Sequence, residues 1–170
     1  GINVSGQNIL KMADLRNALE KSGFESVETY IQSGNILLES AESSTKNVAR
    51  DIHQTILSEF GIDVPVWVFS AEILYDIARD HAFASDIDLS KLHVTFLQDV
   101  PSQEDILSCN THDFSPDLFS IQSDYIYVYC PNGYGRTKIN NAFFEKKLKV
   151  PATTRNWRTV QKLAEMVSAR

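Results

Sequence analysis

Two stretches decide how this chain is read: TYIQSGNILLE, Thr29 to Glu39, and FSIQSDYIYVY, Phe119 to Tyr129. Each is two apolar, β-branched or aromatic runs around a short polar break, the pattern of a β-hairpin. Ile31-Gln32-Ser33 in the first recurs as Ile121-Gln122-Ser123 in the second, 90 positions later in a chain of 170. Gly34 accepts the positive φ that a tight turn needs, so the first hairpin is predicted to turn in two residues at Ser33-Gly34. The second is predicted to turn at Ser123-Asp124.

Working outward from the first hairpin, Lys11 to Ser22 places Met12, Leu15, Ala18 and Leu19 at helical spacing, with Gly23 as the stop. Ser43-Ser44 offers an N-cap for a helix to Phe60, with Val48, Ile52, Ile56 and Phe60 as its stripe and Gly61 as its end. Val64 to Ser70 reads as a strand that starts near a sheet edge, because Pro65 has no amide to donate. Around the second hairpin, Ala71 to His81 reads as a connecting helix, Leu92 to Leu97 as a strand and Pro101 to Cys109 as a short helix. Lys138 to Leu148 and Asn156 to Ala169 read as helices.

The two halves then match. The first gives helix, strand, strand, helix, strand. The second gives strand, helix, strand, strand, helix, and a helix where a last strand would stand. One strand ahead of Gly1 would complete the first as βαββαβ, the split βαβ order. The predicted fold is therefore α+β, two duplicated ferredoxin-like units with antiparallel sheets covered by helices. Residues 1–70 form the first unit, 71–91 a connecting helix and loop, and 92–170 the second unit with its C-terminal helices.

A set of segments in this order resembles one known family: Gly1-Ile2-Asn3-Val4, Lys11-Met12-Ala13-Asp14-Leu15-Arg16, Thr29 to Asn35, Pro131-Asn132-Gly133-Tyr134-Gly135-Arg136 and Ala152-Thr153-Thr154-Arg155-Asn156-Trp157. Together they resemble the domain of unknown function 1697 family over nearly the whole chain. Members of that family begin with a short apolar strand and an Arg ahead of the GINV segment, which this chain lacks; Ser5 and Arg158 stand where Gly and Asn are expected. The resemblance implies a bacterial-type cytoplasmic α+β protein. It carries no catalytic residues across.

Charge narrows the function further. The net charge is −6, but residues 1–130 hold 7 Lys and Arg against 20 Asp and Glu, while residues 131–170 hold 9 against 2. A basic block on an acidic chain marks an anion-binding face or a surface that docks on the chain's own acidic part. Within it, Asn132, Gly133, Gly135, Arg136 and Lys138 form a glycine turn with two cations. A helix starting near Thr137 would point its positive end at that turn, so amides, dipole and cations would all favour a phosphate. The alternative is a structural turn before an ordinary helix cap. The GxxxxGK[ST] spacing of a nucleotide-binding loop is absent there, and Gly1 to Gly6 is followed by Gln7-Asn8 instead. Arg155, Asn156, Trp157 and Arg158 would stack on a base and grip a phosphate, or else pack and cap a helix.

His93 and Thr95 share a strand face in a His-x-Thr pattern, half of a two-histidine phosphoesterase site. The other instance, His53-Gln54-Thr55, falls on a predicted helix. Cys109 and Cys130 form no CxxC pair and read as reduced, partly buried thiols of a cytoplasmic protein. The histidines show no metal-ligand spacing, so neither metal nor cofactor is expected. No apolar run is long enough to span a bilayer. The loop from Gly1 to Asn8 lines a cleft with Ser33-Gly34-Asn35 or ties the first helix to the sheet. The leading expectation is binding of a phosphorylated small molecule or nucleic acid at the Gly133 turn. Its rivals are an enzyme using His93 and Thr95, and a homodimer paired through sheet edges.

Overall fold

The computed structural model describes every residue except Gly1, Val4 and Ser5, so those three positions of the N-terminal loop lie outside the described residues. The chain divides into two compact units, residues 1–71 and 72–170. Both are α+β with antiparallel sheets. Among the described residues no helix is long and apolar enough to cross a membrane.

In the first unit, α1 (Met12–Lys21) buries Met12, Leu15, Ala18 and Leu19, as its spacing requires. Strands β1 (Glu25–Tyr30) and β2 (Asn35–Glu39) pair antiparallel, with Tyr30 opposite Asn35. Their connection is four residues, Ile31 to Gly34, rather than the expected two. The buried Asn35 side chain explains the longer loop: its Nδ2 donates to Tyr30 O (3.2 Å) and Ser33 Oγ (3.1 Å), which braces the loop from within. Ile31 (φ 53°) and Gly34 (φ 77°) both take the left-handed conformation. A Cβ on Gly34 would sit 2.7 Å from Ile2, so that side chain packs directly on the turn. Asn3 completes the tie. Its Nδ2 donates to Leu10 O (2.6 Å) and Gln32 O (2.8 Å), and its Oδ1 accepts from Leu10 N (2.8 Å). The N-terminal loop thus joins the start of α1 to the hairpin.

Helix α2 (Thr45–Phe60) is capped by Ser44, whose Oγ accepts from Asn47 N, and it ends at Gly61 with φ 67°. Val48, Ile52 and Ile56 are buried in one cluster with α1. Residues 61–70 carry no regular secondary structure, which corrects the strand expected over Val64 to Ser70. The apolar alternation is kept all the same: Val64 is buried, and Val66 and Val68 pack against the same cluster. A ladder needs a neighbouring strand as well as the right burial pattern. Among the described residues β1 and β2 pair only with each other.

The second unit begins with α3 (Ala71–Arg79) apart from its first residue. It continues β3 (Leu92–Leu97), α4 (Gln103–Asn110), β4 (Leu118–Ile121), β5 (Tyr125–Tyr129), α5 (Asn141–Leu148), β6 (Ala152–Asn156) and α6 (Trp157–Ser168). The sheet order is β4-β5-β3-β6, antiparallel throughout. The second hairpin turns at Ser123-Asp124, and Gln122 N donates to Tyr125 O (2.9 Å) to close it.

Strand β6 was not expected; its residues read as the approach to a helix. Its sequence, Ala-Thr-Thr-Arg-Asn, has a single apolar residue and so shows no alternation. It is held by pairing along its whole length with β3, from Leu97 opposite Ala152 to His93 opposite Asn156. Helix α5 also starts later than expected. Asn140 Oδ1 accepts from Phe143 N (3.1 Å) and caps it, while Ile139, ahead of the helix, is fully buried.

One face of this sheet packs on α4 and α5. Leu97, Ile126, Val128, Ala152, Cys109, Cys130, Ile139, Phe144 and Leu148 form that core. On the other side, Tyr127 Oη donates to Ile77 O (3.0 Å) and Asp80 O (2.7 Å), and the Tyr127 and Trp157 rings lie 6.2 Å apart.

Phe144 is fully buried against the rings of Phe119 (5.6 Å) and Phe143 (5.3 Å). Phe144→Ala is expected to cost about 3–5 kcal/mol, read as a lowered urea midpoint. Burial pushes the Cys109 thiol up from 9.0 to about 11. A raised folded value means that its contribution is complete below pH 9.0 and is lost as pH climbs through about 11. Cys109→Ala should flatten the fall in stability across that interval, measured by urea melts at stepped pH.

Candidate functional site

Within the second unit, a cleft of about 560 Å³ lies between the loop of residues 113–117 and the turn of residues 132–138. The turn follows from local chemistry. Gly133 takes φ 94°, open to glycine and strained for other residues, and Tyr134–Arg136 then form one turn of 3₁₀-helix. Of the amides from Gly133 to Thr137, three are used within the turn itself. Gly133 N donates to Cys130 O (2.9 Å), Arg136 N to Gly133 O (3.1 Å) and Thr137 N to Tyr134 O (3.3 Å).

Because α5 begins at Asn141, its positive end does not start at this turn, which corrects the helix-start expectation at Thr137. An anion here would be held by side chains rather than by a helix terminus. Asn132, Gly133, Arg136 and Lys138 line the cleft, and Gly135 sits exposed within the adjoining 3₁₀ turn. Arg136 and Lys138 are exposed, and among the described residues no carboxylate lies within ion-pair distance of either.

The loop 113–117 contributes residues that the sequence reading passed over. Asp113 Oδ1 accepts from Ser115 N (2.9 Å) and Ser115 Oγ (2.7 Å), and these bonds hold its carboxyl below the ordinary value. Thr137 Oγ1 donates to Asp117 Oδ2 (2.6 Å) and to that extent fixes the two walls together. Phe114 lines the cleft, its ring stacked on His112 (5.9 Å) and edge-on to Phe143 (5.0 Å). The Asp-x-Ser-Pro-Asp run was visible as turn chemistry. Its position beside the glycine turn depends on tertiary packing.

Arg155 to Arg158 do not line this cleft. Arg155 Nη1 donates to Thr153 Oγ1 (3.1 Å) and Thr154 O (3.0 Å), and burial lowers its pKa. Asn156 Oδ1 accepts from Thr159 N (2.8 Å) and caps α6. Trp157 is buried, its ring edge-on to His81 at 5.8 Å. Arg158 is exposed on the first turn of α6.

His93 and Thr95 lie on β3 with different surroundings. Thr95 is fully buried, and its Oγ1 is 2.7 Å from Thr154 Oγ1. Thr154 Oγ1 donates to Asn141 Oδ1 (2.5 Å) and accepts from Tyr134 Oη (3.0 Å). Thr95 is therefore part of a buried network that ties β3, β6, α5 and the glycine turn together. The half-buried His93 ring stacks on Tyr134 at 4.6 Å, and its Nδ1 donates to Lys91 O (3.1 Å). Burial lowers its pKa and favours the neutral ring. On β6 the positions opposite Thr95 and His93 are Thr154 and Asn156, so that strand brings no second histidine. His53, of the other His-x-Thr run, is on α2 in the first unit, paired with Asp63 at 2.9 Å.

Comparison with known proteins gives a fold and a family. No curated protein matches the chain. The solved structure of the conserved bacterial protein SP0830 from Streptococcus pneumoniae is similar in fold, with a TM-score of 0.73 and 22% identity over 98% of this chain and 93% of that one. Residues 1–127 match the family described as protein of unknown function (DUF1697), and the chain belongs to that family.

Proposed function

We propose that this protein binds a small phosphate-bearing molecule in the cleft between residues 113–117 and 132–138. One observation carries the reading: Arg136 and Lys138 line a single concave site, and among the described residues neither has a carboxylate partner. A guanidinium and an ammonium that keep their donors free are matched to phosphate oxygens. The volume, about 560 Å³, falls in the range of small-ligand sites. Arg155, Asn156 and Trp157 are engaged in their own unit, which favours a compact ligand over an extended polynucleotide strip.

The same reading takes the two units as tandem ferredoxin-like copies. The β3-α4-β4-β5-α5-β6 order and the β4-β5-β3-β6 sheet support this for the second unit. The helix-hairpin-helix order of α1, β1, β2 and α2 supports it for the first. The site of action is taken to be the cytoplasm, where the free, buried Cys109 and Cys130 stay reduced.

The test is a titration with inorganic phosphate and simple phosphomonoesters, followed by heteronuclear NMR or calorimetry. Amide shifts should concentrate on residues 132–138, and affinity should fall as salt rises. Arg136→Ala should weaken binding about tenfold, and Arg136→Ala with Lys138→Ala should abolish it while leaving the melting temperature of the free protein in place. Equal affinity in wild type and the double variant would overturn the proposal.

A further inference from the structure

The cleft carries both signs of charge. Arg136 and Lys138 come from the glycine turn, Asp113 and Asp117 from the facing segment of sequence, and all four line the same cavity. Among the described residues the two sets form no ion pair with each other. Asp117 is engaged through Oδ2 by a neutral hydroxyl, that of Thr137, and Asp113 through Oδ1 by Ser115. These bonds orient both carboxylates without neutralising them. A purely anionic ligand would meet repulsion from two fixed carboxylates as well as attraction from two cations.

Resting on the anion-binding reading above, we infer that the ligand of this cleft carries a protonated amine as well as a phosphate, the phosphate meeting Arg136 and Lys138 and the ammonium meeting Asp113 and Asp117. Charge complementarity with a ligand of both signs removes the repulsion and sets its orientation. Phe114 adds to this. Its ring lines the cavity and is held by His112 and Phe143, so an aromatic group stands beside the ammonium. The lowered Asp113 pKa keeps that carboxylate charged at neutral pH.

The experiment compares two probes of nearly equal size, 2-aminoethyl phosphate and ethyl phosphate, by calorimetry on the full chain with a chelator present. Aminoethyl phosphate is expected to bind about twofold to fivefold more tightly, the range of one exposed ion pair. Asp113→Asn keeps an Oδ1 acceptor for Ser115, so the loop is preserved. That variant should narrow the preference for aminoethyl phosphate, and Asp113→Asn with Asp117→Asn should remove it. Equal affinity of the two probes in wild type would overturn the inference and leave anion binding standing. A gain for ethyl phosphate on adding Mg²⁺ that matches the amine would also overturn it, since a metal would then be the missing cation. Failure of both probes and of inorganic phosphate would overturn the anion-binding reading and this inference together.

Discussion

Strand β3 is paired along both edges, with β5 on one side and β6 on the other, and the second unit is organised around that double ladder. Five of its six residues, Leu92 to Phe96, are paired with β5, and five, His93 to Leu97, are paired with β6. Four of them, Leu92, Val94, Phe96 and Leu97, are buried and apolar, so hydrogen bonding and burial act on the same short segment. Because successive side chains alternate between faces, a slip of one residue would send Thr95 into the apolar layer on the far side and separate it from Thr154. The Thr95–Thr154 contact therefore acts as a register pin between a strongly apolar strand and a weakly apolar one. Through Tyr134, which donates to Thr154, the same pin reaches the glycine turn and hence one wall of the cleft.

The cleft gains its electrostatic character from side chains held apart. A turn whose amides were all free would attract an anion through its backbone, but here Gly133, Arg136 and Thr137 spend theirs on the turn itself. That stiffens the turn, and in the proposed reading recognition falls chiefly to Arg136 and Lys138. On the other wall the hydroxyls of Ser115 and Thr137 occupy one oxygen each of Asp113 and Asp117. Neutral donors can orient a carboxylate without cancelling its charge, whereas a lysine in the same place would have removed it. The arrangement contributes little to stability, since exposed charges of either sign add little to folding unless paired.

Much of this architecture was legible because local periodicity and burial agree. Met12, Leu15, Ala18 and Leu19 sit at helical spacing and do form a buried stripe. Ser44 and Gly61 do bound α2, and Leu92 to Leu97 is a strand with the limits its residues suggest. The failures lie where tertiary contacts overrule local pattern. Strand β6 is polar and is recruited by β3, so no window of its own sequence announces it. Val64 to Ser70 has the right alternation and no ladder, because pairing belongs to the neighbour as much as to the strand. The first hairpin has a longer loop because Asn35 turns inward to brace it, a use that its strand position does not reveal. At the site, the glycine turn was visible from Gly133 and its flanking cations. The acidic wall was not, since Asp117 meets the turn through Thr137, 20 residues on in sequence, and Asp113 lines the same cleft through tertiary packing.

Tyr127 carries a consequence for motion. A short helix ordinarily frays at its C-terminus, where the last carbonyls lack intrahelical donors. At the end of α3 the phenol of Tyr127 serves Ile77 O and Asp80 O, and burial keeps that phenol protonated well beyond its usual range. The donor comes from the middle of β5, a strand whose own opening requires separating β3 and β4. Fraying of the final turn of α3 is thus coupled to breakage in the sheet. Deuterium uptake by its last amides should follow the slow, cooperative exchange of β5 instead of the rapid exchange of a free helix end.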